Sequence, residues 1–476
     1  MEHFDLVVLG AGPGGATAAK AAALRGLRVA LVDDGDLLGY GLRGAYQSKA
    51  MFEIAREHYV MRQRWELSLD RLAADFAKFT QASGAGADAL RAVHRSEFDR
   101  AGITVVAGRG HFRDPHTIAV ASALLHGAHI MVSTGTRPRV LPGVTLDGER
   151  ILTSDEVVDH DDQPESLLVL GAGVIGCEFA SIFAALGAQV TLLDTRARIL
   201  SHEDPDISEV LRRSLERLGV RIEASVRCKG MEVRGEKVHT ALDDGRILET
   251  DAALLSIGRV PNTEGIGLEA AGVTVDKWGY IPVDDDLVTN VPHIYAAGDV
   301  GMRPTDLDLC LVHVAEAEAR RAIAHLCGDK RRLSTTHVPF IIFTLPMVAG
   351  AGESETSARE KYGDVRVGKF ANVRNHRAHA RGTRSGFIKL IVGPTGDDRV
   401  LGVRAVGDGV DSVVGEVSLM IQNALPYTHL LDAIHAHPSL SESLHGAAQI
   451  IAQGALPYLD GEEHCQDYVV EPVLTF

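Results

Sequence analysis

Two short segments carry glycines at a spacing that suits phosphate binding: Gly10-Ala11-Gly12-Pro13-Gly14-Gly15 and Gly171-Ala172-Gly173-Val174-Ile175-Gly176. In GxGxxG the first glycine makes a tight turn and the second lets the backbone approach a pyrophosphate. The third lets the following helix pack closely on the strand before it. The N-terminus of that helix adds a favourable partial charge. Asp33 and Asp194 each end the next apolar strand, about 20 residues on, where an acid binds ribose hydroxyls. Two dinucleotides on one chain are the expectation. Asp194 favours an unphosphorylated ribose, hence NAD, but Arg196 and Arg198 follow closely and suit a 2′-phosphate. NADP therefore stays open.

Other chemistries find less support. The five cysteines, Cys177, Cys228, Cys310, Cys327 and Cys465, are scattered, without a close pair or a metal-ligand spacing. They read as buried thiols in a reducing cytoplasm, and no metal site is expected. A net charge of −16 over 476 residues argues against nucleic acid or an anionic membrane as partner. No apolar run reaches the roughly 18 residues of a membrane span. A core strand that begins almost at Met1 leaves no room for a secretory leader.

The elements that must hold the glycine turns are legible on either side of them. Phe4–Leu9, the helical stretch Gly15–Arg25 and Val29–Val32 form a strand, turn, helix and strand, the opening of a doubly wound sheet. Leu167–Leu170, Gly176–Leu186 and Val190–Leu193 repeat it. Helical periodicity runs over residues 45–95, as in the stretch Trp65–Phe79, and Ser83-Gly84-Ala85-Gly86 reads as a break. From Val338 onward the texture changes to strands, notably Phe387–Val392 and Val400–Val406, then helices near Ser412–Asn423 and Tyr427–Ala433. A separate α+β domain is expected there. The basic run Arg374–Arg381 reads as a solvated loop, with steering of an anionic substrate as the rival reading.

Further motifs in order give a family resemblance. Ser133-Thr134-Gly135-Thr136-Arg137-Pro138, Gly258-Arg259-Val260-Pro261-Asn262, Ile294-Tyr295-Ala296-Ala297-Gly298-Asp299-Val300 and His437-Pro438-Ser439-Leu440-Ser441-Glu442 resemble, with the two cradles, the pyridine nucleotide–disulfide oxidoreductases. Dihydrolipoamide dehydrogenase and soluble transhydrogenase are the most similar branches. The resemblance implies an α/β chain with two Rossmann-like dinucleotide-binding domains, for FAD and NAD(P), plus a C-terminal α+β dimerisation domain. The implied division is FAD domain 1–148 and 269–337, NAD(P) domain 149–268, interface domain 338–458 and tail 459–476. Gly10, Gly12, Gly15, Asp33, Thr134, Gly135, Gly298 and Asp299 would bind FAD. Gly171, Gly173, Gly176, Asp194, Arg196 and Gly258 would bind NAD(P). Two copies would pair, with His437 of one chain facing the flavin of the other.

The resemblance breaks at one place. Where the disulfide reductases carry CxxxxC before xPSK, this chain reads Leu38-Gly39-Tyr40-Gly41-Leu42-Arg43-Gly44-Ala45-Tyr46-Gln47-Ser48-Lys49. Tyr40 and Ala45 fall where the redox cysteines would stand, and Leu38 replaces a glycine. Neither Tyr nor Ala can supply a thiolate. By resemblance Lys49 lies near flavin N5 and Glu178 near the nicotinamide, the two forming an ion pair, while a surface position is the plainer reading of each. His437 with Glu442 would protonate a two-electron acceptor. The expected activity is an FAD-dependent NAD(P)H oxidoreductase acting on a small non-disulfide acceptor such as a quinone. The alternatives are a transhydrogenase and a flavin-binding sensor whose tail contacts a partner.

Overall fold

The computed structural model describes residues 1–35, 37–39, 41–65, 76–302, 310–330 and 337–453. Tyr40, Cys465, the tail and residues 66–75 lie outside the described residues. The chain forms two compact units: 1–50, 78–139 and 258–335 make one, and 51–77, 140–257 and 336–476 the other.

The first unit is built on a seven-stranded sheet. Strand β1 (Glu2–Leu9) runs parallel to β2 (Val29–Asp33) on one side and to Ala123–Val132 on the other. Thr104–Ala107 extends the sheet beyond β2, and Ile294–Ala296 pairs parallel with Ala123–Val132. Leu6, Val7, Val8 and Leu9 are all buried, which explains the continuous apolar run of a strand covered on both faces. Helix α1 (Pro13–Ala23) joins β1 to β2 and begins with Pro at its first position, where no N–H is missed. A π-helical turn, Gly41–Gln47, leads into helix α2 (Ser48–Trp65), and α3 (Phe76–Arg100) precedes Thr104–Ala107.

Helix α3 corrects the expected break at Ser83–Gly86, since it runs through all four residues. Gly86 has a packing role: a Cβ there would collide with the hydroxyl of Tyr46. The missing side chain admits a neighbour instead of ending the helix.

The second unit repeats the parallel plan. Its five-stranded sheet runs in the order Arg221–Ala224, Gln189–Asp194, Ser166–Leu170, Ala252–Leu255, Ile151–Thr153, all parallel. Helix α4 (Val174–Ala185) joins its first two cradle strands, and ten of its residues are buried. The same unit holds a five-stranded antiparallel sheet, in which Val400–Val406 lies between Val348–Gly352 and Phe387–Val392. Helices Asp411–Gln422 and Glu442–Gln453 follow it. The basic run also departs from expectation: His376–Arg381 is a short helix capped by Asn375. No helix among the described residues is long and apolar enough to cross a membrane.

Candidate functional site

The two glycine cradles share one geometry. A Cβ at Gly10 or Gly15 would run into backbone, and so would one at Gly171 or Gly176. At Gly12 and Gly173 nothing lies within 4 Å of the Cβ position, so the middle glycine faces open space. No side chain caps α1 or α4, which leaves both helix starts to an anion. Each acid braces its own turn: Ala11 N–H donates to Asp33 at 2.8 Å, and Ala172 N–H donates to Asp194 at 2.6 Å. These residues fit a dinucleotide pyrophosphate with its ribose on the acid.

Two serines complete the turns. The carbonyls of Ser133 and Ser256 lie against Gly10 and Gly171, where a Cβ would touch them. The Ser256 hydroxyl donates to the Leu170 and Gly171 carbonyls at 2.9 Å, and Ser133 donates to the Ala297 carbonyl at 3.1 Å. Sequence reasoning missed this role for both. Its signal is a serine directly after a buried strand.

In the first unit, Thr134 and Asn262 exchange bonds of 2.8 and 2.9 Å. They lock the hinge at Ser133–Pro138 to Gly258–Asn262. Gly258 belongs to this crossing: it has φ +102°, and its carbonyl accepts from Arg139 at 2.9 Å. Asp299 is half-buried, and the loss of solvent around its carboxyl pushes it above the usual range against the charge of Arg259 and bonds from Thr136 and Cys310. Gly298, at φ +74°, donates its N–H to buried Glu318 at 2.8 Å. Glu318, on helix Val312–Leu326, thus holds the backbone beside Asp299 and was not foreseen.

The segment before α2 and the start of that helix hold Leu38, Ala45 and Lys49. Leu38 has φ +74°, a left-handed conformation that costs a non-glycine residue roughly 1–2 kcal/mol. Its N–H donates to Ala11 at 2.9 Å, and its side chain is buried. Ala45 stands in the π-helical turn. Lys49 is half-buried, with Nζ 3.3 Å from the Ser48 hydroxyl. Burial pushes Cys177 and Cys228 up from the usual thiol range, and all four described cysteines are free.

In the second unit Glu178 is buried, not exposed, and accepts the Phe343 N–H at 2.9 Å. Arg196 donates to the Ser201 hydroxyl at 2.7 Å, and Arg198 is held on the Ser201 and Glu203 carbonyls at 2.9 and 3.0 Å. Arg196 is exposed and Arg198 half-buried. His437 Nδ1 lies 2.9 Å from the Glu442 carboxylate. His435 is paired separately, with Glu416 at 3.2 Å. No group of His, Cys, Asp and Glu among the described residues is arranged to hold a metal.

Comparison with known proteins agrees over almost the whole length. Residues 4–319 match the family described as pyridine nucleotide-disulphide oxidoreductase, and residues 338–448 match its dimerisation domain. A dihydrolipoyl dehydrogenase of Chlamydia muridarum is 35% identical over 449 residues, 93% of this chain and 95% of that one. A leghemoglobin reductase of Glycine max is 30% identical over 469 residues, 94% of this chain and 87% of that one. Among solved structures, the HOCl-induced flavoprotein disulfide reductase RclA of Escherichia coli superposes with a TM-score of 0.84 at 27% identity, covering 94% of this chain and 100% of that one.

Proposed function

The chain belongs to the pyridine nucleotide-disulphide oxidoreductases, a family that binds FAD and uses NAD(P)H, and from that premise we propose that it reduces an acceptor other than a disulfide. Bound FAD supplies a two-electron relay, taking hydride from the nicotinamide and giving it up to a second substrate. The chain's part is to place and to protonate. The Gly10–Gly15 cradle with Asp33, Thr134, Gly135, Gly298 and Asp299 holds FAD. The Gly171–Gly176 cradle with Asp194, Arg196 and Glu178 holds the nicotinamide nucleotide, and Lys49 lies at the flavin edge. His437 with Glu442 serves the acceptor bound at the partner chain's flavin. In this reading residues 1–148 and 269–337 form the FAD domain, 149–268 the NAD(P) domain and 338–458 the dimer interface.

One observation carries the choice of acceptor. The first cysteine of the chain is Cys177, so no thiol stands at 40 or 45, and disulfide exchange needs a thiolate within bonding reach of the flavin. The name leghemoglobin reductase, borne by a relative, supports a non-disulfide acceptor, while dihydrolipoyl dehydrogenase names the opposite outcome. Transfer to a second nicotinamide is the alternative that Arg196 favours.

Stopped-flow mixing separates these readings. Enzyme bleached with NADH or NADPH is mixed with benzoquinone, thio-NAD or lipoamide. Rapid reoxidation by quinone is expected. Rapid reoxidation by thio-NAD would mark a transhydrogenase, none by any of them a sensor. Reduction of lipoamide would sink the proposal.

A further inference from the structure

Asn375 is buried at the start of helix His376–Arg381 and binds in two directions. Its Oδ1 accepts the Arg377 and Ala378 N–H groups at 2.8 and 3.1 Å. Its Nδ2 donates to the Ser439 carbonyl and the Ser443 hydroxyl at 2.9 and 2.8 Å. The basic helix is thereby tied to the segment that carries His437. The next residue then meets that histidine: His376 Nδ1 lies 3.2 Å from His437 Nε2, with ring centroids 5.0 Å apart and planes at 80°.

Proton positions follow from what each atom can do. A carboxylate only accepts, so the hydrogen of the His437–Glu442 bond sits on His437 Nδ1. His437 Nε2 then either accepts the N–H of His376 or, when the pair holds one more proton, donates to it. Both nitrogens of His437 are engaged in either state. The ring nitrogen left for a substrate is Nε2 of His376, whose side chain is exposed.

We propose that the proton donor to the acceptor is His376 Nε2, the outer end of a chain Glu442–His437–His376. This rests on the reading that hydride leaves the flavin for a non-disulfide acceptor, and it names that acceptor's chemistry as a carbonyl-type oxidant that needs one proton per hydride. As hydride adds to a quinone, negative charge collects on its oxygen. The Nε2–H bond of His376 breaks and the O–H bond forms. The proton shared between the rings settles on His376 Nδ1, and His437 stays neutral with Nδ1–H on Glu442. Solvent then returns a proton to His376 Nε2. The neighbouring charges are otherwise committed or peripheral: His379 bonds the Val373 carbonyl and Arg381 pairs with Asp408 at 2.7 Å, while Arg374 and Arg377 add positive charge at the helix start.

The test compares His376→Ala and His376→Phe with the unaltered enzyme, each reduced by NADH and reoxidised by benzoquinone or ferricyanide. Ferricyanide takes electrons without a proton and reports on the flavin alone. Both variants are expected to slow quinone reduction about 100-fold while bleaching by NADH and ferricyanide reduction stay within about twofold, and imidazole should restore part of the rate to His376→Ala. A second readout needs no turnover: carbethoxylation of His437 by diethyl pyrocarbonate, followed by peptide mass spectrometry. The reagent attacks an unshared ring lone pair, so both variants should react several-fold faster at His437, Phe included although it fills the same space. Variants that match the unaltered enzyme in both measurements overturn the relay. If lipoamide and not quinone reoxidises the unaltered enzyme, the acceptor reading falls instead. The His376 comparison is then made with lipoamide, whose reduction also takes up a proton.

Discussion

At the level of single residues, the middle and last glycines of each cradle should fail in different ways when a methyl group is added. Gly12 and Gly173 face open space, whereas Gly15 and Gly176 abut the carbonyls of Gly10 and Gly171. Gly12→Ala is expected to fold normally yet purify without yellow colour, and Gly173→Ala to stay yellow and lose about tenfold or more in NADH affinity, because the methyl occupies the pyrophosphate's approach. Gly15→Ala and Gly176→Ala should instead lower the thermal midpoint, read by circular dichroism. The proposal that Tyr40 and Ala45 stand in place of redox thiols gives a second prediction. On two-electron reduction no long-wavelength thiolate-to-flavin absorption band should appear, and Ala45→Cys together with Tyr40→Cys should create one. A band in the unaltered protein would contradict the proposed chemistry. The cradles were legible because glycine writes a steric requirement directly into the sequence. The partnership of His376 with His437 was not, since 61 positions separate them and the two-way bonding of Asn375 that ties their segments together leaves no mark in the spacing.

Whole elements of the second unit are joined by charge. Lys389, buried in strand Phe387–Val392, reaches Asp204 at 2.8 Å, Asp206 at 2.9 Å and Glu355 at 3.1 Å. Burial alone would lower its affinity for a proton, but the carboxylates prevail and hold it above the usual lysine range. Burial opposes and Lys389 overcomes it at Asp204 and Asp206, both held below the usual carboxylate range. A carboxyl depressed in the folded state stabilises fully above its unfolded value, roughly pH 4, and that stabilisation is lost as pH falls through the folded value. Glu203, pushed up by burial despite Arg404, works in the other direction but is one group against two. Lys389→Met removes the cation shared by three carboxylates, of which Asp206 keeps Lys369 at 3.0 Å and Glu355 keeps Arg359 at 2.9 Å, and is expected to lose roughly 3 kcal/mol or less at neutral pH, with the deficit narrowing in acid. Urea unfolding at pH 7 and at about pH 3, inside the window where the stabilisation is being lost, checks both parts, and an equal deficit at the two values would refute the electrostatic account. Element identity was read well where apolar periodicity spoke for burial, as at Phe387–Val392 and Val400–Val406. It was misread at Ser83–Gly86, because glycine at a close helix contact looks the same in sequence as glycine in a turn.

For the whole molecule the consequential question is which chain's histidine serves which flavin. The dimerisation domain covers residues 338–448 and includes His376, His437 and Glu442, whereas Gly10–Gly15, Asp33 and Asp299 fall within residues 4–319. If the proton chain of one copy serves the flavin of the other, two disabled chains can restore each other. Gly12→Ala removes the flavin from one chain and leaves its histidines. His437→Ala interrupts the proton chain of the second and leaves its flavin. Neither variant alone should reduce quinone at an appreciable rate. Co-expressed with different tags and purified as the mixed dimer, they leave one complete site, the flavin of the second chain facing His437 of the first. The mixed dimer should therefore recover about half the quinone reductase activity of an unaltered dimer if the two sites act independently. A site assembled within one chain makes the opposite prediction, because neither chain of the mixed dimer would then hold both parts, and activity would stay at the level of the parent variants. NADH bleaching serves as the internal control. It needs only the flavin and the nicotinamide, so it should proceed at the flavin-bearing chain in either case.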